Sequence, residues 1–170
     1  MKIFLDTADV DLIEKYYGTG LIDGVTTNPT LIKKSGYDPE EVYRKIALIG
    51  VDDISMEIVT DDSYEFLKEG RRLKEKFGEI TTIKVPCTPE GLKGCKLLSK
   101  EGIRVNVTLI FSAAQAVLAS KAGAAYVSPF VGRVDENSFS GLDLIKQISD
   151  IYEKQSVLYT PVSTQILSEC

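Results

Sequence analysis

Lys84 lies in the run Ile80-Thr-Thr-Ile-Lys-Val-Pro86, a β-branched stretch that stops at a proline and a helix-start signal. A lysine pointing out of the end of such a strand can be desolvated, which turns an ammonium into a nucleophilic amine. Residues that could serve it occupy matching places in neighbouring strand-like runs. Asp6 closes the first run, and Asn28 follows Val25-Thr-Thr27 at the end of the second. Ser55 and Glu57 lie two apart in the third, Asn106 and Thr108 two apart in the fifth, and Ser128 and Phe130 two apart in the sixth. Residues two apart on a strand share a face. Gly132-Arg133 comes after the sixth run, and its strand-end position beside Ser128 strengthens it as a phosphate-binding signal. Inward polar residues repeated in strand after strand are costly unless they serve each other or a ligand, so a site is the economical explanation.

Each of these residues also has a plainer reading. Asp6-Thr7 could cap a helix starting near Asp9, Asn28-Pro29 could be only a turn, and Asn106 could bridge strand backbones. Lys84 could be half of a structural ion pair with Glu57 or Asp6, because such pairs also perturb pKa values. Glu57, between Met56 and Ile58, needs a partner in any reading. The chain has no histidine, which removes Ser-His-Asp and Cys-His nucleophile pairs and His-ligated metal sites. Proton transfer then falls to carboxylates, lysine, tyrosine or water. Cys87 carries no partnered base and reads as packing, and Lys93, Lys96 and Lys100 recur at helical spacing as a solvated face.

The elements that must position these residues alternate along the chain. Short β-branched runs (Lys2–Asp6, Gly24–Thr27, Asp53–Val59, Ile80–Val85, Val105–Ile110, Ala125–Phe130) are separated by amphipathic stretches (Asp9–Tyr17, Glu40–Ile49, Tyr64–Phe77, Pro89–Lys100, Ser112–Lys121, Leu142–Lys154), and a last strand-like piece lies in Val157–Leu167. Strands spaced by helix-length segments build βαβ units and a parallel sheet. Thr88-Pro89-Glu90 supplies a cap, a proline for the first turn and an early acid, while Gly102 and Gly123 come after the next helices where a left-handed residue is wanted. No linker or composition break divides the chain, so residues 1–170 read as one domain. An open doubly wound sheet and a β/α barrel both fit, although the glycine-rich nucleotide signature of the former is missing.

Composition narrows the partners. With 44% apolar and 26% charged residues the chain has the balance of an ordinary soluble protein, and no apolar run approaches the roughly 20 residues of a membrane span. A net charge of −5, from 20 basic and 25 acidic residues, gives no electrostatic reason to bind nucleic acid. The amino terminus meets an acid at Asp6 rather than a long apolar stretch, and three cysteines without CxxC spacing argue against a disulfide framework; a cytoplasmic location is expected.

Several motifs occur together: Leu5-Asp6-Thr7, Gly24-Val-Thr-Thr-Asn-Pro-Thr30, Ile83-Lys-Val-Pro86, Thr88-Pro-Glu-Gly91, Asn106-Val-Thr-Leu-Ile-Phe-Ser112 with Ala114-Gln-Ala116, and Val127-Ser-Pro-Phe-Val-Gly-Arg133. In this order they closely resemble the short transaldolase family, the group that also contains the fructose-6-phosphate aldolases, from Met1 to about Asp150. The resemblance implies a TIM-type (β/α)8 barrel and a metal-free, cofactor-free transfer of a dihydroxyacetone unit between sugar phosphates. It implies Lys84 as the Schiff-base lysine, Asp6 as the residue handling the substrate hydroxyl proton, and Glu57 as the carboxylate acting on the catalytic water. It implies Asn28 and Asn106 as ligands of the sugar hydroxyls, Ser55, Thr108 and Ser128 as supporting contacts, and Arg133 as the phosphate ligand. Aldolase members are similar but carry glutamine and tyrosine where this chain has Glu57 and Phe130, so both positions favour a transaldolase.

At 170 residues the chain is short for a barrel that usually needs about 250, which leaves about six to seven βα units. Thr164–Cys170 begins like the family's seventh strand and stops; alternatively Val157-Leu158-Tyr159 is that strand. In either case a second phosphate arginine is absent and a barrel edge is expected to be open. A neighbouring subunit could supply the missing strand, which makes a homo-oligomer the expected state; a rearranged edge and a truncated chain with damaged catalysis stay open. Two other readings therefore accompany the transaldolase: a fructose-6-phosphate-type aldolase, and a catalytically impaired barrel acting as an oligomerising or interaction protein.

Overall fold

Six short strands and their helices, seen in a computed structural model that describes residues 2–154, succeed one another around a curled sheet. The strands are β1 (Phe4–Asp6), β2 (Gly24–Thr26), β3 (Ile54–Glu57), β4 (Thr81–Pro86), β5 (Arg104–Ile110) and β6 (Tyr126–Pro129). All neighbours are parallel and their order is β1-β2-β3-β4-β5-β6. Every crossover thus moves one strand along in the same direction. A doubly wound sheet would reverse its order at a switch point, so the described residues form an incomplete β/α barrel. The pieces read as a seventh strand, Val157–Tyr159 and Thr164–Cys170, lie outside the described residues.

The helices are α1 (Val10–Tyr17), α2 (Pro29–Ser35), α3 (Pro39–Ile49), α4 (Ser63–Phe77), α5 (Pro89–Lys100), α6 (Ala113–Ala122), α7 (Val131–Glu136) and α8 (Gly141–Lys154), with a 3-10 turn at Gly78–Ile80. Most begin on a side chain that accepts from a first-turn amide: Asp9, Asn28, Asp38, Asp62, Thr88 and Ser112. It is Asp9, not Asp6, that caps α1. The sequence reading has no counterpart for α2 and α7, at seven and six residues too short for a hydrophobic period to be distinguished from a turn.

Alternation along the strands separates core from interior. Ile54, Met56, Ile83, Val85, Val105, Val107 and Val127 are buried outward against Ile46, Phe66, Leu98 and Ile148 of the helices. The opposite phase carries Ser55, Glu57, Thr82, Lys84, Asn106, Thr108 and Ser128. At the first turn of α5 a Cβ on Gly91 would stand 2.0 Å from the Pro86 carbonyl oxygen, so glycine lets this helix start directly against the end of the Lys84 strand.

The amino-terminal end of the interior is closed by a second polar group. Asp53, 1% exposed, accepts from Thr82 Oγ1 at 2.7 Å and from the Tyr126 hydroxyl at 2.8 Å, and pairs with Arg104 at 2.9 Å. Burial and the adjoining carboxylate push the Tyr126 hydroxyl well above its ordinary pKa. The Tyr126 ring meets Phe4 edge-on at 5.5 Å, which ties β6 to β1 across the interior. The sequence reading places Asp53 at a strand start and gives it no role; the structure sets it just before β3, where it gathers β4, β5 and β6.

Replacing Asp53 with alanine would strand two hydroxyls and a guanidinium. The expected cost is about 3 kcal/mol in urea unfolding, and a loss below about 1 kcal/mol would show that the cluster is not a structural tie.

Candidate active site

The other end of the interior centres on Lys84, whose side chain is 3% exposed. Its Nζ donates to the Thr27 carbonyl at 3.0 Å and lies 3.2 Å from Glu57 Oε2. The register explains the meeting, since Glu57, Lys84 and Asn106 are successive Cα partners across β3, β4 and β5. Glu57 keeps 20% of its side-chain surface open, so water reaches the carboxylate while the amine is sealed. Asp6 is the third charged group. Burial raises its carboxyl above the usual range, the nearby Lys84 partly offsets this, and Glu57 adds to it.

A chain of polar side chains lines the neighbouring wall. Ser128 Oγ donates to Asn106 Oδ1 at 2.8 Å, and Asn106 Nδ2 donates to Ser55 Oγ at 3.3 Å. All three residues are at most 2% exposed. Asn106 therefore joins side chains of three strands rather than bridging backbones. Three further atoms, Asp6 Oδ1, Thr26 Oγ1 and Thr108 Oγ1, are buried with no hydrogen-bond partner among the described residues. Unpaired buried polar atoms are costly, and a cluster of them in one interior is what a ligand with several hydroxyls would satisfy.

The remaining expected residues stand at the rim. Asn28 Oδ1 accepts from Leu31 N at 2.9 Å, so its oxygen caps α2. Phe130 opens α7, with its ring 5.3 Å from Phe111 and 5.5 Å from Arg133 Cζ. Arg133 is exposed on α7. Cys87 is partly buried, and burial raises its thiol pKa, as befits packing. Among the described residues, no group of three or more Cys, Asp or Glu side chains could hold a metal ion, and no helix is long and apolar enough to cross a membrane.

Sequence reasoning missed Thr26, Thr27 and Tyr43. Thr26 faces inward in register with Asp6, a position the alternation could have revealed. Thr27 acts through its carbonyl, and Tyr43 reaches in from α3 with its hydroxyl against the Thr27 side chain and the Glu57 backbone, where burial raises its pKa to about 12. Neither role leaves a mark on a strand pattern.

The family described as transaldolase/fructose-6-phosphate aldolase matches residues 3–169. The chain belongs to this family. Members similar to it include a probable transaldolase of Nitrosopumilus maritimus, 48% identical over 98% of this chain and 73% of the relative. Probable transaldolases of Methanococcus vannielii and Sphingopyxis alaskensis are 51% and 53% identical, over 92% and 90% of this chain and 73% and 70% of theirs. The family match extends beyond Asp150, where the motif resemblance ends. In this transaldolase and aldolase family member, the interior described above is the one place where a buried lysine, two carboxylates and unpaired polar atoms converge among the described residues.

The raised pKa of Asp6 has a thermodynamic consequence. Folded protein holds this proton more tightly than unfolded chain, so stability falls as pH rises from the unfolded value through the folded one. Asp6→Asn is therefore expected to raise the melting temperature at pH 7, with the gain shrinking as pH drops through the folded pKa. A gain that does not vary with pH would contradict this assignment.

Proposed function

We propose that this chain is a class I transaldolase, transferring a dihydroxyacetone unit from sedoheptulose 7-phosphate to glyceraldehyde 3-phosphate and giving erythrose 4-phosphate and fructose 6-phosphate, a reaction of the pentose phosphate pathway. The observation that carries this reading is Lys84 itself, sealed from solvent, 3.2 Å from Glu57 and in the same interior as buried polar atoms that lack partners among the described residues. The family membership and the names of its relatives support the same direction.

In this mechanism the neutral Lys84 amine attacks the ketose C2 carbonyl, and the proton it must shed has Glu57 as a near acceptor. The carbinolamine loses water to give an iminium. Asp6, as carboxylate, removes the proton from the C4 hydroxyl, the C3–C4 bond breaks, and its electron pair passes into the iminium as an enamine. The aldose departs, the enamine carbon attacks the acceptor aldehyde, and the new alkoxide takes its proton back from Asp6. Water held by Glu57 then adds to the imine and frees Lys84. Glu57 suits that task because its side chain keeps an open face. Asn28, Ser55, Asn106, Thr108 and Ser128 hold the sugar hydroxyls, and Arg133 binds the phosphate. Phe130 offers no hydroxyl to protonate the enamine, so the three-carbon unit stays bound until an acceptor arrives.

The test is a transfer assay with and without acceptor. Fructose 6-phosphate with erythrose 4-phosphate is expected to give sedoheptulose 7-phosphate and glyceraldehyde 3-phosphate, with no free dihydroxyacetone from donor alone. Asp6→Asn is expected to lower kcat about 10²- to 10⁴-fold. Free dihydroxyacetone released from the donor alone would make the protein an aldolase instead, and full activity in Asp6→Asn would remove that residue from proton transfer.

A further inference from the structure

The end of β5 contains a backbone conformation that the mechanism leaves unused. Leu109 has φ +59°, a left-handed conformation that residues other than glycine, asparagine and aspartate rarely adopt. The pairing of β5 with β6 slips at the same place: Val107 faces Val127 but Ile110 faces Pro129, so three steps on β5 oppose two on β6. This is a β-bulge, and it inverts the phase of the residues after it. Without it Ile110 would share the inward face of Asn106 and Thr108. With it Ile110 is fully buried among the core residues, and Phe111 stays exposed beside Phe130.

The peptides before and after Leu109 are held by hydrogen bonds. The Thr108 carbonyl accepts from Cys87 N at 2.8 Å and the Ile110 carbonyl from Phe130 N at 2.9 Å, while Phe111 N donates to Gln115 Oε1 at 2.8 Å. A strained residue held by its surroundings is the kind found where structure aims a functional group. Here the aimed group is the Phe111 ring, 43% exposed, which meets Phe130 edge-on at 5.3 Å and 61°. Phe130 in turn lies 5.5 Å from the guanidinium carbon of Arg133.

We propose that Phe111 is a positioning residue that sets specificity for phosphorylated substrates: aimed by the Leu109 bulge, it fixes the Phe130 ring and through it the Arg133 guanidinium. The inference rests on Arg133 being the phosphate ligand of the proposed function. Phe111 makes no contact with the reacting atoms in this scheme, so its effect is confined to the phosphate end.

Calorimetric binding of glucitol 6-phosphate, which has no carbonyl and forms no imine, reads the phosphate and hydroxyl contacts without the covalent step. Arg133→Ala and Phe111→Ala are each expected to weaken binding, the latter about three- to tenfold. Phe111→Tyr keeps the ring and is expected to bind like the parent. The double variant is expected to bind no worse than Arg133→Ala, because the two side chains act in series. Borohydride trapping with dihydroxyacetone, which carries no phosphate, is expected to proceed at the parent rate in Phe111→Ala. Leu109→Gly, which adopts the left-handed conformation without strain, is expected to keep the bulge and to bind glucitol 6-phosphate like the parent. If Arg133→Ala weakens binding and Phe111→Ala does not, or if their effects add, the inference fails while the phosphate role of Arg133 stands. If Arg133→Ala has no effect, the phosphate assignment itself fails and takes the inference with it.

Discussion

A lysine sealed within a sheet has to be given acceptors by the fold, and that requirement organises the carboxyl-terminal end of this barrel. The Thr27 carbonyl and the Glu57 carboxylate supply them from two different strand ends, at 3.0 and 3.2 Å. Neither would be within reach if β2, β3 and β4 paired in another register, since a slip of one residue would send Lys84 and Glu57 outward to the helices. The same pair explains why Asp6 is held uneasily. Burial discourages its charge, Lys84 favours it, and Glu57 opposes it, so its proton affinity is set by the neighbours it would serve.

The two polar clusters of the interior differ in a way that bears on function. Around Asp53 each carboxylate oxygen has a partner, and the group links β3, β4, β5 and β6 near their amino-terminal ends. Around Lys84, buried oxygen atoms of Asp6, Thr26 and Thr108 have none among the described residues. A satisfied network stabilises; an unsatisfied one costs free energy that a ligand or bound water returns. The division matches the general asymmetry of β/α barrels, in which loops at the carboxyl ends of the strands carry chemistry and the opposite end carries stability. Placing strain at Leu109, on the rim of the unsatisfied cluster, belongs to the same end of the molecule.

Much of this site was legible because strand alternation has a period of two. Ser55 with Glu57, and Asn106 with Thr108, could be set on one face by counting, and Lys84 stood out from its place in a β-branched run. The parallel sheet was legible for the same reason, although only the strand order separates the barrel from a doubly wound sheet. The features that escaped depend on groups with no periodic signature: a backbone carbonyl at Thr27, a tyrosine arriving from α3, and an aspartate just outside a strand. The bulge at Leu109 escaped because a left-handed leucine contradicts local preference, and the surrounding hydrogen bonds that enforce it come from distant residues.

The central claim is that Lys84 forms an imine with a ketose. Treating the protein with fructose 6-phosphate and borohydride, then mapping the adduct by peptide mass spectrometry, tests it most directly. The expected result is a single reduced adduct on the peptide carrying Lys84, lost in Lys84→Ala. An adduct spread over surface lysines, or none from folded protein, would contradict it.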